Sequence, residues 1–84
     1  MLKVSVISPE ATLFEGEVES LVAPAFDGEV GILPRHAPMV TLLGTGELRL
    51  GSGGVRFKVS GGFLQVADDH VRIVTEHAEK SSDR

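Results

Sequence analysis

The sequence predicts an all-β fold, a flattened β-sandwich or barrel of short, mostly antiparallel strands. Apolar and polar residues alternate with a period of two along several short segments, which is typical of half-buried strands. Glycine turns separate these segments about every eight to twelve residues, and no segment has the apolar spacing of a helix. The chain has four Phe and neither Trp nor Tyr, so Val, Leu and Ile must form most of the core. That composition suits pleated sheet.

The N-terminal part predicts two strands. Alternation over residues 2–7 predicts the first strand, which ends at Ser8-Pro9 because proline has no amide donor. Gly16 is interpreted as a bulge or bend, and residues 17–23 are predicted to form the second strand.

The middle of the chain predicts hairpins. Residues 39–43 and 47–50 are expected to pair around a glycine turn at residues 44–46. Residues 51–54 are interpreted as a second hairpin loop, and residues 55–60 show the clearest strand alternation in the chain.

The C-terminal part predicts a meander and a tail. Gly61-Gly62 is expected to end one strand, and residues 63–67 and 70–75 to form the next two. The sequence is polar from Glu76 onwards, which predicts a frayed tail. These features predict a β-sandwich domain over residues 1–76 and a polar tail over residues 77–84.

Length and charge limit the function classes. A chain of 84 residues forms one domain with a modest core. Its net charge of −4, without a basic stripe or an aromatic platform, makes it a poor candidate for binding nucleic acid or an anionic membrane surface. The absence of cysteine excludes disulfides and thiolate metal sites. No signal peptide or membrane-spanning run is recognised, so we expect a soluble chain that reaches a membrane only through protein partners.

The stretch over residues 26–38 differs from the strands around it. It combines two glycines and two prolines with two acids, an Arg and a His around three aliphatic residues. Glycine permits tight bends, and each proline fixes its own φ and restricts the residue before it. The sequence therefore predicts a rigid, shaped loop that the strands hold out from the core.

This loop contains the best candidates for chemistry, and each has a simpler interpretation. Asp27 and Glu29 form a possible carboxylate pair, but the loop offers little apolar cover to raise a pKa, which favours solvated turn acids. His36 has no nucleophile or orienting acid at a recognisable spacing. The three His and the Asp68-Asp69 pair lack metal-ligand spacing, and the glycine runs lack the features of a phosphate loop. We therefore expect no catalytic residue, cofactor or metal, and residues 27–39 are interpreted as a docking element.

A resemblance supports the docking interpretation. The chain is similar to the epsilon subunit of F-type ATP synthases over residues 2–78, in order and at that family's spacing. The motifs that carry the resemblance are Leu13-Phe14-x-Gly16-x-Val18-x-x-Leu21, Gly28-Glu29-Val30-Gly31-Ile32-Leu33-Pro34-x-His36-Ala37-Pro38, Gly46-x-Leu48, Ser60-Gly61-Gly62-Phe63-Leu64-x-Val66 and Val71-x-Ile73.

The resemblance implies a non-catalytic rotor component of the central stalk. In that family the β-sandwich sits at the foot of the gamma subunit and touches the polar loops of the membrane c-ring, so that ion flow is coupled to ATP synthesis in the catalytic head. The resemblance implies a c-ring contact at Asp27, Gly28, Glu29 and Val30, with the carboxylates facing basic partners, and a gamma contact at Ser8, His36, Met39 and Thr41. It also implies a peripheral location at the cytoplasmic face of the bacterial inner membrane, or at the equivalent face of another energy-transducing membrane.

The sequence departs from the family at its C-terminus. Family members usually continue into a two-helix hairpin that can inhibit ATP hydrolysis, and some bacterial forms bind ATP there through an Ile/Leu-Asp-x-x-Arg-Ala motif. Residues 79–84 contain no such motif. Neither hairpin inhibition nor ATP sensing is therefore expected of this chain.

Two other functions remain open from the sequence. A free-standing β-sandwich that binds a small ligand or peptide is the first alternative, and a buried apolar cleft would favour it. A small hydrolase using Asp27, Glu29 and His36 is the second, and it would require these three side chains to meet at one site.

Overall fold

The computed structural model describes residues 1–51 and 54–80, and within these ranges the chain contains strands and no helix. The all-β prediction is confirmed. The eight strands are β1 (Leu2–Ile7), β2 (Thr12–Val18), β3 (Leu21–Ala25), β4 (Gly28–Ile32), β5 (Met39–Leu42), β6 (Thr45–Leu50), β7 (Val55–Ala67) and β8 (His70–Lys80).

Strands β5 to β8 form a long ribbon that is folded once across its length. β5 pairs with the second half of β7, and β6 pairs with the first half, in one unbroken register. β8 pairs with β7 on the other side along both halves. At residues 43–44, 61–62 and 75–76 the paired strands bend, and they pass from one of two layers into the other. We call this level of the molecule the fold line.

The fold line divides the pairing into two layers. Layer one has the order β5, β7, β8, β1, β2, and layer two has the order β8, β7, β6, β3, β4. β1 pairs with β8 in parallel, whereas all other strand pairs are antiparallel. The sheet is not closed, since β2 and β4 are its two ends. The result is a β-sandwich-like domain, as the sequence predicts.

Side chains from both layers meet in one apolar core. Burying an aliphatic side chain of this size contributes about 1.5–3 kcal/mol, so these residues provide most of the driving force for folding. The core residues are Leu2, Val4, Val6, Val18, Leu21, Ala23, Ile32, Leu43, Leu48, Leu50, Phe57, Val59, Leu64, Val66, Val71 and Ile73.

The glycine pair at the fold line bends β7 instead of ending it. Gly61 and Gly62 have φ values of 77° and 108°, in the region that side chains disfavour. A Cβ atom on Gly62 would also collide with the carbonyl oxygen of Val74 in β8. Glycine at this position therefore lets β7 bend while it remains paired to β8.

The predicted strand over residues 17–23 is wrong. β2 continues through Gly16, which pairs regularly with Val4, and the chain turns at residues 19–20. The physical reason is that Val18 lies in layer one and Leu21 in layer two, and both are buried. The chain must cross from one layer to the other between them.

The predicted hairpin between residues 39–43 and 47–50 is also wrong, because β5 and β6 both pair with β7. The hairpin between β6 and β7 is confirmed, with Leu50 opposite Val55. Residues 52–53 of its predicted loop lie outside the described residues.

The prediction that the chain leaves the domain at Glu76 is wrong for residues 77–80. β8 continues to Lys80, where His77 lies opposite Ser60 and Lys80 opposite Phe57. The half-buried Ala78 packs against the core, and backbone pairing tolerates polar side chains on an outer strand. The rest of the predicted tail, residues 81–84, lies outside the described residues.

Candidate docking site

The residues for which the family resemblance implies a c-ring contact lie in and beside the turn between β3 and β4. The predicted loop is therefore partly a strand, because Gly28 and Glu29 already pair with Ala25 and Pro24. Asp27, Gly28 and Glu29 are exposed, whereas Val30 is half-buried against the core. The turn lies near the fold line, because the Phe26 amide donates to the Leu42 carbonyl over 3.0 Å.

The Glu29 carboxylate has a partner within the chain. A guanidinium nitrogen of Arg49 on β6 lies 3.4 Å from each of its two oxygens. The side chains are 63% exposed for Glu29 and 45% for Arg49. An exposed pair of this kind contributes about 0–1 kcal/mol, so Glu29 can exchange Arg49 for another basic partner at little cost.

The second half of the predicted loop, residues 33–38, crosses between the layers at the end of the sandwich opposite the fold line. We call this end the open end. The His36 amide donates to the Leu33 carbonyl over 3.2 Å, and the half-buried His36 ring has Nδ1 2.8 Å from the Ala37 carbonyl. Arg35 has a φ of 68°, a left-handed conformation that is uncommon outside glycine.

Asp69, in the turn between β7 and β8, lies at the same open end. Its carboxylate accepts a hydrogen bond of 2.6 Å from the Arg35 amide, and its carbonyl accepts one of 2.9 Å from the Lys3 amide. A recess of 480 Å³ lies beside these contacts, lined by Arg35, His36, Ala37, Pro38, Asp68 and Asp69. The turn thus joins the crossing loop to the start of β1.

Two residues of β5, for which the family resemblance implies a gamma contact, share one face of the strand. Met39 and Thr41 are half-buried, and Met39 packs against the core. Val40 and Leu42 alternate with them and are 68% and 62% exposed. The exposed apolar surface of β5 therefore belongs to Val40 and Leu42.

Leu42 begins an apolar row across the outer face of layer one. Leu42 lies opposite Phe63, Phe63 opposite Val74, and Val74 opposite Ile7. Ser8 follows directly at the end of β1, and a mainly apolar recess of 370 Å³ runs past it, lined by Ile7, Ser8, Pro9, Gly62, Phe63, Val74, Thr75 and Glu76. We call Leu42, Phe63, Val74 and Ile7 the apolar row.

The predicted gamma residues are spread over the molecule. Adjacent strands lie about 4.8 Å apart, so Ser8 at the end of β1 is roughly 14 Å from β5, with β8 and β7 between them. His36 is at the open end. Met39 and Thr41 are the two members of this set that the structure brings together.

The residues of the hydrolase hypothesis do not form a site. Asp27 and Glu29 lie toward the fold line and His36 at the open end, and β4 rises about 3.3 Å per residue between them. The described residues contain no group of three or more His, Asp or Glu that could hold a metal ion. Residues 1–51 and 54–80 also contain no helix long and apolar enough to cross a membrane.

The ligand-binding hypothesis requires a buried apolar cleft. A recess of 560 Å³ lies instead on the outer face of β1, β2 and β8, and its lining includes Lys3, Glu15 and Arg72. Its charged rim and open position differ from the cleft that this hypothesis requires.

A family model described as "ATP synthase, Delta/Epsilon chain, beta-sandwich domain" matches residues 1–81. The chain belongs to this family. A curated ATP synthase epsilon chain from Leptospira borgpetersenii is 50% identical over 84 residues, which are 98% of this chain and 66% of the relative. An epsilon chain from Desulforamulus reducens is 43% identical over 81 residues, which are 94% of this chain and 61% of the relative. The chain thus spans less than two thirds of the length of these relatives.

Solved structures agree with the epsilon-type β-sandwich. The structure of Euglena gracilis mitochondrial ATP synthase, described as OSCP/F1/c-ring, contains a chain that is 26% identical, with a TM-score of 0.85, over 94% of this chain and 52% of that chain. A chain of the Tetrahymena thermophila mitochondrial ATP synthase central stalk and c-ring has a TM-score of 0.73 at 20% identity, over 93% of this chain and 65% of that chain, and it supports the fold alone.

Family membership confirms the resemblance to ATP synthase epsilon subunits. The epsilon chain is a non-catalytic subunit of ATP synthase, in agreement with the expectation that this chain is not an enzyme.

Two features of the epsilon-type β-sandwich were missed by sequence reasoning. The contact between Arg35 and Asp69 joins residues 34 positions apart and depends on which turn reaches the open end. The apolar row depends on the register between strands. The local signal is the pair of adjacent acids at residues 68–69, which is typical of a turn but does not indicate which segment the turn contacts.

Proposed function

We propose that this chain is a non-catalytic rotor subunit of an F-type ATP synthase, which joins the gamma subunit to the c-ring and so couples ion flow to ATP synthesis. The observation that carries the proposal is the match to the epsilon-type β-sandwich over residues 1–81, with up to 50% identity to epsilon chains. The similar Euglena chain comes from an assembly described as containing F1 and the c-ring. The proposed partners are accordingly the gamma subunit, the c-ring and the catalytic head.

The proposed c-ring contact consists of Asp27, Gly28, Glu29 and Val30. Its support is the exposed position of the turn and the weak hold of Arg49 on Glu29. A basic group on a ring loop can replace Arg49 without exposing a buried charge. Charge pairs at such a contact mainly set orientation and register.

The proposed gamma contact includes Ser8, His36, Met39 and Thr41. The apolar row adds exposed apolar surface beside Ser8 and next to Thr41 along β5. Contiguous apolar surface on a small domain commonly marks an interaction site. We therefore propose that Leu42 and Phe63 provide apolar anchors of this contact, on the face of β5 opposite to that of the half-buried Met39.

The proposed location follows from these partners. A chain that binds the c-ring through its polar loops would lie at the membrane surface, at the cytoplasmic face in bacteria or the equivalent face of another energy-transducing membrane. It would be held there by protein contacts.

Purification from the host tests this function. The chain is tagged at its C-terminus, membranes are extracted in mild detergent, and the tagged product and its partners are weighed by mass spectrometry. We expect gamma, the catalytic subunits and the c-ring to accompany it. If the tagged chain is recovered alone from membranes in which the synthase is intact, the rotor assignment is overturned and a ligand-binding sandwich becomes the leading function.

A further inference from the structure

Asp69 connects three separate parts of the chain at the open end. Its own turn joins β7 to β8, its carbonyl accepts from the Lys3 amide at the start of β1, and its carboxylate accepts from the Arg35 amide in the crossing loop. The carboxylate contact is 2.6 Å long and is made to backbone. The contact is exposed to solvent, but a short hydrogen bond from backbone to a charged group is stronger than an ion pair between two exposed side chains.

Arg35 is also the residue with the least favourable backbone conformation in the crossing loop. Arg35 has a φ of 68°, a left-handed conformation that residues other than glycine disfavour. Within the loop, the hydrogen bond from the His36 amide to the Leu33 carbonyl closes a turn that favours this conformation. The Asp69 carboxylate adds a contact from outside the loop, one residue before His36.

We propose that Asp69 is a positioning residue for the gamma contact: by holding the Arg35 amide, it fixes the backbone that presents His36. This inference rests on the proposed function, because it takes His36 as part of the gamma contact. Asp69 need not touch gamma itself. It acts by removing alternative conformations of the loop before binding, which lowers the entropic cost of association.

The turn allows a clean set of variants. Asp68 and Asp69 have φ values of 52° and 62°, so glycine at either position keeps the backbone and removes only the carboxylate. Asp69→Gly removes the contact to Arg35, and Asp68→Gly is the matched control. Asp69→Asn keeps an acceptor oxygen, and Asn tolerates positive φ.

Two measurements on the whole chain test the inference. Amide hydrogen exchange reports on the Arg35 contact directly, and titration against the purified gamma subunit of the host synthase reports on binding. We expect Asp69→Gly to abolish the exchange protection of the Arg35 amide and to weaken gamma binding about tenfold. We expect Asp69→Asn to remain within about threefold of the native chain, and Asp68→Gly to leave both measurements unchanged.

The outcomes separate this inference from the function on which it rests. If the native chain does not bind gamma, the proposed function is overturned, and with it this role of Asp69. If His36→Ala weakens binding but Asp69→Gly does not, the gamma contact stands and the positioning role is overturned. Equal loss in Asp69→Gly and Asp68→Gly would also overturn it, because a general effect on the turn would then explain the result.

Discussion

Two acids lie in or beside the turn between β3 and β4, and two lie in the turn between β7 and β8, yet their contacts differ. Glu29, beside the first turn, faces the end of an exposed Arg49 side chain at 3.4 Å. Asp69, in the second, holds a backbone amide at 2.6 Å. A carboxylate that pairs with an exposed side chain can change partners, whereas one that holds backbone fixes the chain. Carboxylates thus have different effects at the two turns. Glu29 remains able to change its basic partner, whereas Asp69 fixes the backbone of the crossing loop.

The position of each turn relative to the fold line explains this difference. The β3–β4 turn lies near the fold line and projects with four exposed residues in succession, 26–29. The β7–β8 turn lies at the open end, where the crossing loop passes directly over it. Sequence context near the acids does not distinguish the two cases, because the crossing loop is distant in the chain.

The largest expected effect comes from a substitution at the fold line, on which the positions of both turns depend. Gly62→Ala places a Cβ against the Val74 carbonyl and forces an alanine into a φ of 108°. We expect a loss of about 4 kcal/mol or more in the free energy of unfolding, which is a large part of the total stability of a domain of this size. Chemical denaturation followed by circular dichroism measures it.

Gly31→Ala is the matched control for this substitution. No atom lies within 4 Å of a Cβ built on Gly31, and its φ is not positive. We expect a change within about 0.5 kcal/mol. If Gly62→Ala is equally mild, the fold line does not depend on glycine, and the two turns are positioned by other contacts.

The second prediction sharpens the contrast by reversing the charge of the exchangeable acid. Glu29→Lys should weaken c-ring binding about tenfold, because it places a positive charge against basic ring groups. The free energy of unfolding should change by less than about 1 kcal/mol, since an exposed pair contributes little. Recovery of the c-ring with the tagged variant, and ATP-driven ion pumping by membranes that carry it, measure the first effect. Thermal unfolding of the chain measures the second.

Glu47→Lys provides the control for this reversal. Glu47 pairs with Arg56 at 3.7 Å in the same layer, and it lies outside the proposed contact. Its side chain is 36% exposed, compared with 63% for Glu29. Pumping should be unchanged in this variant. Equal losses in the two variants would mean that net charge, and not the β3–β4 turn, determines coupling.

Sequence reasoning recovered some of the strands, misplaced others, and missed the contacts that depend on layer geometry. Alternation located β1 and the first half of β7 because one face of each is buried, and a period of two follows directly from that. Alternation could not show that β5 and β6 both pair with β7, because local patterns do not specify which strands are neighbours. The β8 extension to Lys80 was missed because its polar residues lie on an outer strand, where backbone pairing carries the stability.

The candidate site was predictable in part for the same reason. The exposed β3–β4 turn could be recognised from its glycines and acids, which are local signals. The apolar row requires four strands in register, and the Asp69 contact requires two distant segments to meet. Neither leaves a pattern in a single stretch of sequence.

The third prediction concerns the strain at the fixed turn. Arg35→Asn should raise the free energy of unfolding by about 0.5–1 kcal/mol, because Asn adopts a φ near 68° at lower cost. Arg35→Val should lower it by at least as much, since a β-branched residue disfavours this conformation. Equal stability of the two variants would show that Arg35 is not strained, and Asp69 would then hold a loop that is already relaxed.

The smallest expected effect tests the exchangeable pair itself. A double-mutant cycle of Glu29→Gln and Arg49→Met should give a coupling energy below about 1 kcal/mol, and 1 M salt should reduce it toward zero, because the Debye length is then about 3 Å. No side-chain substitution removes the Arg35 amide, so the matching measurement is the loss of stability in Asp69→Gly alone. That loss should depend less on salt than the Glu29–Arg49 coupling, because the contact is a direct 2.6 Å hydrogen bond to a neutral amide and not an ion pair between two charges. If the Glu29–Arg49 coupling exceeds about 2 kcal/mol and resists salt, Glu29 is held as firmly as Asp69. The first turn would then not be free to bind a basic partner, and its proposed contact with the c-ring would require Arg49 to move away at a measurable cost.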